Sequence, residues 1–187
     1  MTKADKSKLL DKADAVLLVI DIQERFRKHI VDFDSMVRHV ATLVKACRIL
    51  SVPVLVTEQY SQGLGRTVPE LLDLLGSAPV FEKNCFSVTG ADGLASHLDA
   101  LQRKQIIVCG IEAHVCVNQS VHQLMAAGYQ VHLVEEALGA RVESNKRIGL
   151  AKMYQSGALP SSVEMALFEM LKQSGCDEFK AIQNLVK

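Results

Sequence analysis

Short apolar runs alternate with longer segments of helical periodicity along this 187-residue chain, and this alternation decides its fold class. The first run, residues 15–22, shows no polar alternation, which is typical of a strand buried on both faces of a parallel sheet. The pattern predicts an α/β fold of three layers, α/β/α. Predicted strands cover residues 15–22, 54–57, 80–81, 106–109, 130–134 and 158–160; predicted helices cover 35–50, 68–75, 91–102, 115–127, 143–156, 162–172 and 177–186.

The chain shows no internal repeat and no linker, so residues 1–187 are predicted to form a single domain. The polar residues 1–13 are expected to be a flexible or peripheral segment, and they lack the pattern of a signal peptide. The five cysteines are scattered without C-x-x-C spacing, which favours a reducing compartment over a disulfide framework or a zinc site. We therefore expect a cytoplasmic protein, with a mitochondrial location left open.

Charge and hydropathy exclude two classes of partner. The formal net charge is zero, and the sequence pI is about 7.0. Such a balance provides no electrostatic surface for nucleic acid or for an anionic membrane. The apolar runs are also shorter than the ~18 residues that a membrane-spanning helix needs. A small-molecule substrate is the remaining expectation.

Cys116 lies where a predicted helix begins, just after the apolar run 106–109 and Gly110. In an α/β sheet this position, past the carboxyl end of a strand, is where ligands bind. Unpaired N–H groups at a helix N-terminus lower the pKa of a thiol and favour the thiolate. Cys116 is therefore predicted to be a nucleophile, with nearby backbone N–H groups as an oxyanion hole. A buried structural cysteine is the alternative.

Two charged residues at the ends of other predicted strands complement this thiol. Asp21 lies at the end of the most apolar predicted strand, where an acid is costly unless it has a partner, and it could serve as general base. Lys83 follows the third strand and could stabilise both the carboxylate and a thiolate. A helix N-cap for Asp21 and a solvated surface position for Lys83 are the alternatives.

The segments around these residues resemble the isochorismatase-like cysteine hydrolases. They read V-I-D-I-Q at 19–23, F-E-K-N-C-F-S at 81–87 and G-I-E-A-H-V-C-V at 110–117. The segments T-E-Q-Y-S-Q-G-L-G-R-T-V-P-E-L at 57–71 and A-K-M-Y-Q-S-G-A at 151–158 resemble the isochorismatase domain-containing subgroup.

This resemblance implies a six-stranded, Rossmann-like parallel sheet and a homo-oligomer. It also implies Asp21 as base, Lys83 as charge-stabilising partner and Cys116 as nucleophile. A non-proline cis peptide between Ile111 and Glu112 is expected to contribute, with Cys116, to the oxyanion hole.

Metal-binding relatives carry aspartate-x-histidine after the second strand, whereas this chain has Thr57-Glu58-Gln59-Tyr60 there. No histidine pair has metal-ligand spacing either, so we expect no metal and no other cofactor. His114, two residues before Cys116, is interpreted as a structural residue. The side chains expected to line the substrate pocket are Gln23, Phe26, Tyr60 and Phe86.

These observations favour a cysteine hydrolase that opens an amide-like C–N bond of a small molecule through a thioester on Cys116. A ribonuclease is one alternative, because some relatives carry that label. A non-catalytic oligomeric scaffold or binding protein is the other. The substrate itself cannot be derived from the sequence.

Overall fold

A computed structural model describes residues 8–187 of the chain. The strands are β1 (Ala15–Ile20), β2 (Val54–Gln59), β3 (Val80–Lys83), β4 (Gln105–Gly110), β5 (Gln130–Leu138) and β6 (Leu159–Ser161). The α-helices are α1 (Phe33–Ile49), α2 (Ser61–Leu64), α3 (Pro69–Leu75), α4 (Leu94–Leu101), α5 (Asn118–Ala126), α6 (Glu143–Gln155), α7 (Val163–Leu171) and α8 (Phe179–Gln183).

The six strands form one all-parallel sheet in the order β3-β2-β1-β4-β5-β6. The chain adds β2 and β3 on one side of β1 and then returns to place β4 on its other side. Helices cover both faces, which confirms the predicted three-layer α/β fold. The point where the strand order reverses lies between β1 and β4, and in such sheets ligands bind at this point.

Strand β1 explains why its sequence lacks polar alternation. Ala15, Leu17 and Val19 pack into an apolar cluster that also contains residues of α1 and α7. Val16, Leu18 and Ile20 pack on the opposite face with residues of α4, α5 and α6. Both faces of the strand are therefore buried under helices, so both require apolar side chains.

The structure differs from the sequence prediction at several element ends. Strand β1 ends at Ile20, whereas β2, β3 and β5 run further than predicted. Residues 113–117 form a π-helical turn, so α5 begins at Asn118 and not at residue 115 as predicted. The sequence pattern also does not predict the short helix α2. Parallel pairing extends β2 and β3, because Gln59 pairs with Lys83 although both side chains are polar.

The segment before β1 is packed over part of its length. Leu10 is buried, and its amide donates to the Glu169 carboxylate at 2.9 Å. Residues 10–12 therefore contact the folded body, while residues 1–7 of the predicted 1–13 segment lie outside the described residues. Within residues 8–187, no helix is long and apolar enough to cross a membrane.

Candidate active site

Asp21 is the first residue after β1 and lies at the point where the strand order reverses. Its backbone is left-handed, with φ of 55°, and its side chain is buried. One carboxylate oxygen, Oδ1, accepts from the Thr57 hydroxyl at 2.6 Å, and Oδ2 accepts from the Lys83 ammonium at 2.6 Å. The buried carboxylate is therefore paired and hydrogen-bonded on both oxygens, as burial of a charge requires.

Lys83 ends β3, and its side chain passes the end of β2 to reach Asp21. Four acceptors surround its ammonium group. They are Asp21 Oδ2 at 2.6 Å, Gln59 Oε1 at 2.7 Å, the Phe86 carbonyl at 3.0 Å and the Cys85 carbonyl at 3.3 Å. A lysine ammonium has only three protons to donate. The positive charge is thus held inside the protein, and this explains how Lys83 can be buried at 3% exposure.

Cys116 lies in the π-helical turn between β4 and α5, and it is 8% exposed. The turn is held from both sides: the Ala113 amide donates to the Gly139 carbonyl at 2.9 Å, and the Ser120 hydroxyl donates to the Cys116 carbonyl. Single π-helical turns occur frequently at functional sites. The Asp21 carboxylate raises and the Lys83 ammonium lowers the pKa of the Cys116 thiol, so the structure brings all three predicted residues into one neighbourhood.

The pKa of Cys116 is shifted in the direction opposite to the sequence prediction. Burial is the largest cause and, with the Asp21 carboxylate, raises the pKa of the thiol to about 12. Lys83 and the Glu112 N–H act the other way and lower it. The expected helix-terminus effect is present as that N–H contact, but burial outweighs it. The resting group is therefore a thiol, and the Asp21 carboxylate near it can accept its proton.

The peptide bond between Ile111 and Glu112 is cis. The Ile111 N–H already donates to the Ile20 carbonyl at 2.9 Å and is not available to an oxyanion. The Glu112 N–H, in contrast, lowers the pKa of the Cys116 thiol and so lies near the sulfur. The Glu112 side chain is held by Arg141, whose Nε lies 3.0 Å from Oε2, so the turn that carries Cys116 is also fixed at the residue that precedes it.

The four predicted pocket residues divide into two pairs. Tyr60 and Phe86 are 52% and 53% exposed. Both contact Lys83 through the backbone, since the Tyr60 amide donates to the Lys83 carbonyl and the Phe86 carbonyl accepts from its ammonium. Gln23 is instead fully buried and bonded to backbone, and Phe26 packs against the apolar cluster on the α1 side. Gln23 is therefore closed to solvent, whereas Tyr60 and Phe86 are exposed and Phe26 is partly exposed.

Sequence reasoning missed the partners that orient the charged groups. Thr57 and Gln59 contact Asp21 and Lys83 directly, and Ser120 joins the Cys116 carbonyl to the Val88 amide. For Thr57 and Gln59, the available signal was the polar T-E-Q triplet that continues the apolar second strand.

His114 lies beside α6, and its ring nitrogen Nε2 is 3.5 Å from the Asn145 amide nitrogen. Residues 8–187 contain no group of three or more acidic, histidine or cysteine side chains that could hold a metal ion.

Comparison with known proteins identifies relatives across most of the chain. A family model described as "Isochorismatase domain" matches residues 15–165. A protein named secreted isochorismatase effector Isc1, from Phytophthora sojae, is 40% identical over 178 residues, covering 92% of this chain and 84% of that protein. Human isochorismatase domain-containing protein 2 is 40% identical over 174 residues, covering 92% and 83%. A structure described as MAR1 ribonuclease from Caenorhabditis elegans matches with a TM-score of 0.90 at 34% identity, covering 95% and 92%.

Proposed function

The chain belongs to the isochorismatase family of hydrolases, and we propose that it hydrolyses an amide-like C–N bond of a small molecule through a thioester on Cys116. One observation carries this proposal: the buried Asp21 carboxylate is paired with the buried Lys83 ammonium at 2.6 Å, and both act on the pKa of the neighbouring Cys116 thiol. Cysteine catalysis requires a nucleophile near a base that a third group orients, and Cys116, Asp21 and Lys83 have this arrangement.

The first half-reaction forms the thioester. Asp21 takes the proton from Cys116 as the sulfur attacks the substrate carbonyl carbon, and the carbonyl oxygen becomes an oxyanion. The N–H groups of Glu112 and Cys116 are the proposed donors to this oxyanion. The C–N bond then breaks, and the protonated Asp21 returns its proton to the departing nitrogen, which leaves as ammonia or an amine. A resting thiol suits this sequence, because the proton moves only when the substrate is present.

The second half-reaction releases the acid. Asp21, ionised again, takes a proton from water as the water oxygen attacks the thioester carbon. The C–S bond breaks, and the proton on Asp21 returns to the sulfur, so the enzyme regains its starting state. Lys83 donates no proton in this cycle, because its three N–H groups already face acceptors within the protein. Its role is electrostatic: it pairs with Asp21 and offsets negative charge near the sulfur.

The exposed rings of Tyr60 and Phe86 are the proposed walls for a small substrate.

The homo-oligomer and the cytoplasmic location stay predictions. Apolar surface near the C-terminus supports assembly, since Met165 of α7 is half exposed. Ribonuclease activity has the names of three similar solved structures in its favour. The zero net charge and the position of His114, which is turned to Asn145, give it less support than the hydrolysis of small amides.

The test is to incubate the protein with a panel of small primary amides and carbamoyl compounds, measuring ammonia release and, after acid quench, the mass of the Cys116 peptide. We expect turnover, and an acyl adduct on that peptide. Cys116→Ser and Asp21→Asn should each lower the rate by at least about a hundredfold, the scale of general-base and nucleophile losses.

Cys176→Ser is the matched control, because it removes a thiol that lies outside the site, and it should keep the wild-type rate. Turnover that survives in Cys116→Ser would exclude the thioester route. The complete absence of both turnover and adduct across the panel would favour the scaffold alternative.

A further inference from the structure

We propose that Gln59 is a positioning residue that aims the charge of Lys83 at Asp21 and Cys116. The inference rests on the proposed function for its catalytic meaning, but its contacts are independent of any substrate. Gln59 Oε1 accepts from Lys83 Nζ at 2.7 Å, almost as short as the 2.6 Å contact between Lys83 and Asp21. These two acceptors make the shortest contacts with the ammonium and hold it between β1 and β2.

The amide of Gln59 is held so that only its oxygen can face Lys83. Its Nε2 group donates to the Asn84 carbonyl at 2.8 Å, in the loop that follows Lys83. A side-chain amide has distinct donor and acceptor ends. Since the donor end is engaged with Asn84, the acceptor end is presented to the ammonium.

The backbone of Gln59 is clamped by a second glutamine. Gln23 Oε1 accepts from the backbone N–H of Gln59 at 2.8 Å, and Gln23 Nε2 donates to the backbone carbonyl of Gln59 at 2.9 Å. It also donates to the Gly65 carbonyl at 2.6 Å. Gln23 is fully buried, so these bonds do not compete with water. Gln23 therefore fixes Gln59, and Gln59 in turn fixes Lys83.

Because Gln59 is a neutral acceptor, Asp21 is the only carboxylate within residues 8–187 that contacts Lys83. The other acids of the neighbouring elements are engaged elsewhere: Glu58 with Thr67 and Arg66, Glu82 with Ser61, and Glu112 with Arg141. A glutamate at position 59 would bring a second negative charge to the ammonium. That charge would draw Lys83 from Asp21 and disfavour the Cys116 thiolate.

The experiment measures the iodoacetamide alkylation rate of Cys116 by peptide mass spectrometry in the full chain, with Cys176 as the internal reference. For Gln59→Glu we expect alkylation about tenfold slower near pH 8.5, which corresponds to a thiol pKa higher by about one. Gln62→Glu is the matched control, since it makes the same chemical change at an exposed position three residues later, and its rate should equal that of wild type.

A purely structural role for Gln59 would lower stability without this change in alkylation. Wild-type alkylation of Cys116 in Gln59→Glu, or equal slowing in Gln62→Glu, would overturn the proposal. If Gln59→Glu does not fold, Gln59→Met decides, since it removes the acceptor without adding charge: slower alkylation supports the proposal and an unchanged rate overturns it.

With an amide substrate in hand, Gln59→Glu should lower kcat and move the acidic limb of the pH profile to higher pH, with KM unchanged. Altered alkylation without turnover of any amide would refute the proposed function and leave the positioning of Lys83 by Gln59 standing.

Discussion

Buried ionisable residues are accommodated in this protein in two different ways. Asp21 and Lys83 are paired with each other, and the Thr57 hydroxyl and the Gln59 amide oxygen supply further hydrogen bonds. His132 on β5 is almost equally buried, at 2% exposure, but its Nε2 lies 3.2 Å from the neutral Gln130 amide oxygen. Burial lowers the pKa of His132 to about 4, so the ring is neutral at physiological pH.

The lowered pKa of His132 predicts a loss of stability in acid. The unfolded chain binds a proton near pH 6.5 and the folded chain near pH 4, so stability is fully present above about pH 6.5 and falls as the pH decreases toward 4. Between pH 7.5 and pH 5 we expect the free energy of unfolding to decrease by up to about 2 kcal/mol from this group. Urea denaturation at the two pH values measures the change.

His132→Gln is the variant that isolates this effect, because glutamine does not titrate. The measured quantity is the decrease in unfolding free energy between pH 7.5 and pH 5, so the variant's absolute stability does not affect the comparison. This decrease should be smaller in His132→Gln than in wild type. An equal loss in both proteins would assign the acid sensitivity to another group.

At the scale of elements, the end of β4 lies against the backbone of β1 where the chain passes into the π-helical turn. Gly110, the last residue of β4, has φ of +121°, and a Cβ added there would overlap the Ile20 carbonyl oxygen. The obstacle is backbone of β1, the neighbouring strand, and cannot rotate away. The close approach of β1 and β4 brings Asp21 and the turn of Cys116 together, so this glycine serves the site as well as the sheet.

We therefore expect Gly110→Ala to disrupt both stability and the site. The clash must separate β1 from β4, and a loss of about 3 kcal/mol or more in unfolding free energy is expected, together with loss of amide turnover.

Gly128→Ala is the control, because that glycine also has positive φ, +89°, but no atom of the described residues lies within 4 Å of the position that an added Cβ would occupy. Gly128→Ala should lower the unfolding free energy by only about 1 kcal/mol, the cost of placing a non-glycine residue in the left-handed region. Similar losses in the two variants would show that the contact with Ile20 is not decisive. Thermal or urea unfolding of both proteins makes the comparison.

At the scale of the whole molecule, the segment before β1 meets the C-terminal end of the chain. Ion pairs join Lys12 to Glu178 and Asp11 to Lys172, while Ile182 of α8 is fully buried in the cluster on the α1 side. Exposed ion pairs contribute little to stability, whereas a buried aliphatic side chain contributes through both transfer and packing. The apolar contact is thus expected to hold the C-terminal helix in place.

Ile182→Ala tests this ranking. We expect it to lower the unfolding free energy by about 2–4 kcal/mol, through a cavity at the α1 side of the sheet. Lys12→Ala, which removes one surface ion pair, should change the urea midpoint far less. A larger loss from Lys12→Ala than from Ile182→Ala would mean that the ion pairs, and not the packing, hold these two segments together.

Much of the fold could be predicted because its signals are local. The apolar run of β1, the periodicity of α1 and the glycine that ends β4 each reveal an element within a few neighbouring residues. Strand ends were less predictable, because polar residues such as Gln59 and Lys83 join the sheet through pairing with each other. The helix α2 and the π-helical turn depend on contacts with other elements, and short-range pattern carries no sign of them.

By itself the sequence determined the α/β class, the order of its elements and the placement of Asp21, Lys83 and Cys116 at strand ends. It could do so because burial on both sheet faces demands apolar strands, and parallel strands bring their carboxyl ends to one edge. Only the tertiary structure decided that the pKa of Cys116 is raised, that Gln59 holds Lys83 and that Gln23 braces Gln59. These properties depend on desolvation and on hydrogen bonds between residues far apart in the chain, which exist only after the sheet has formed.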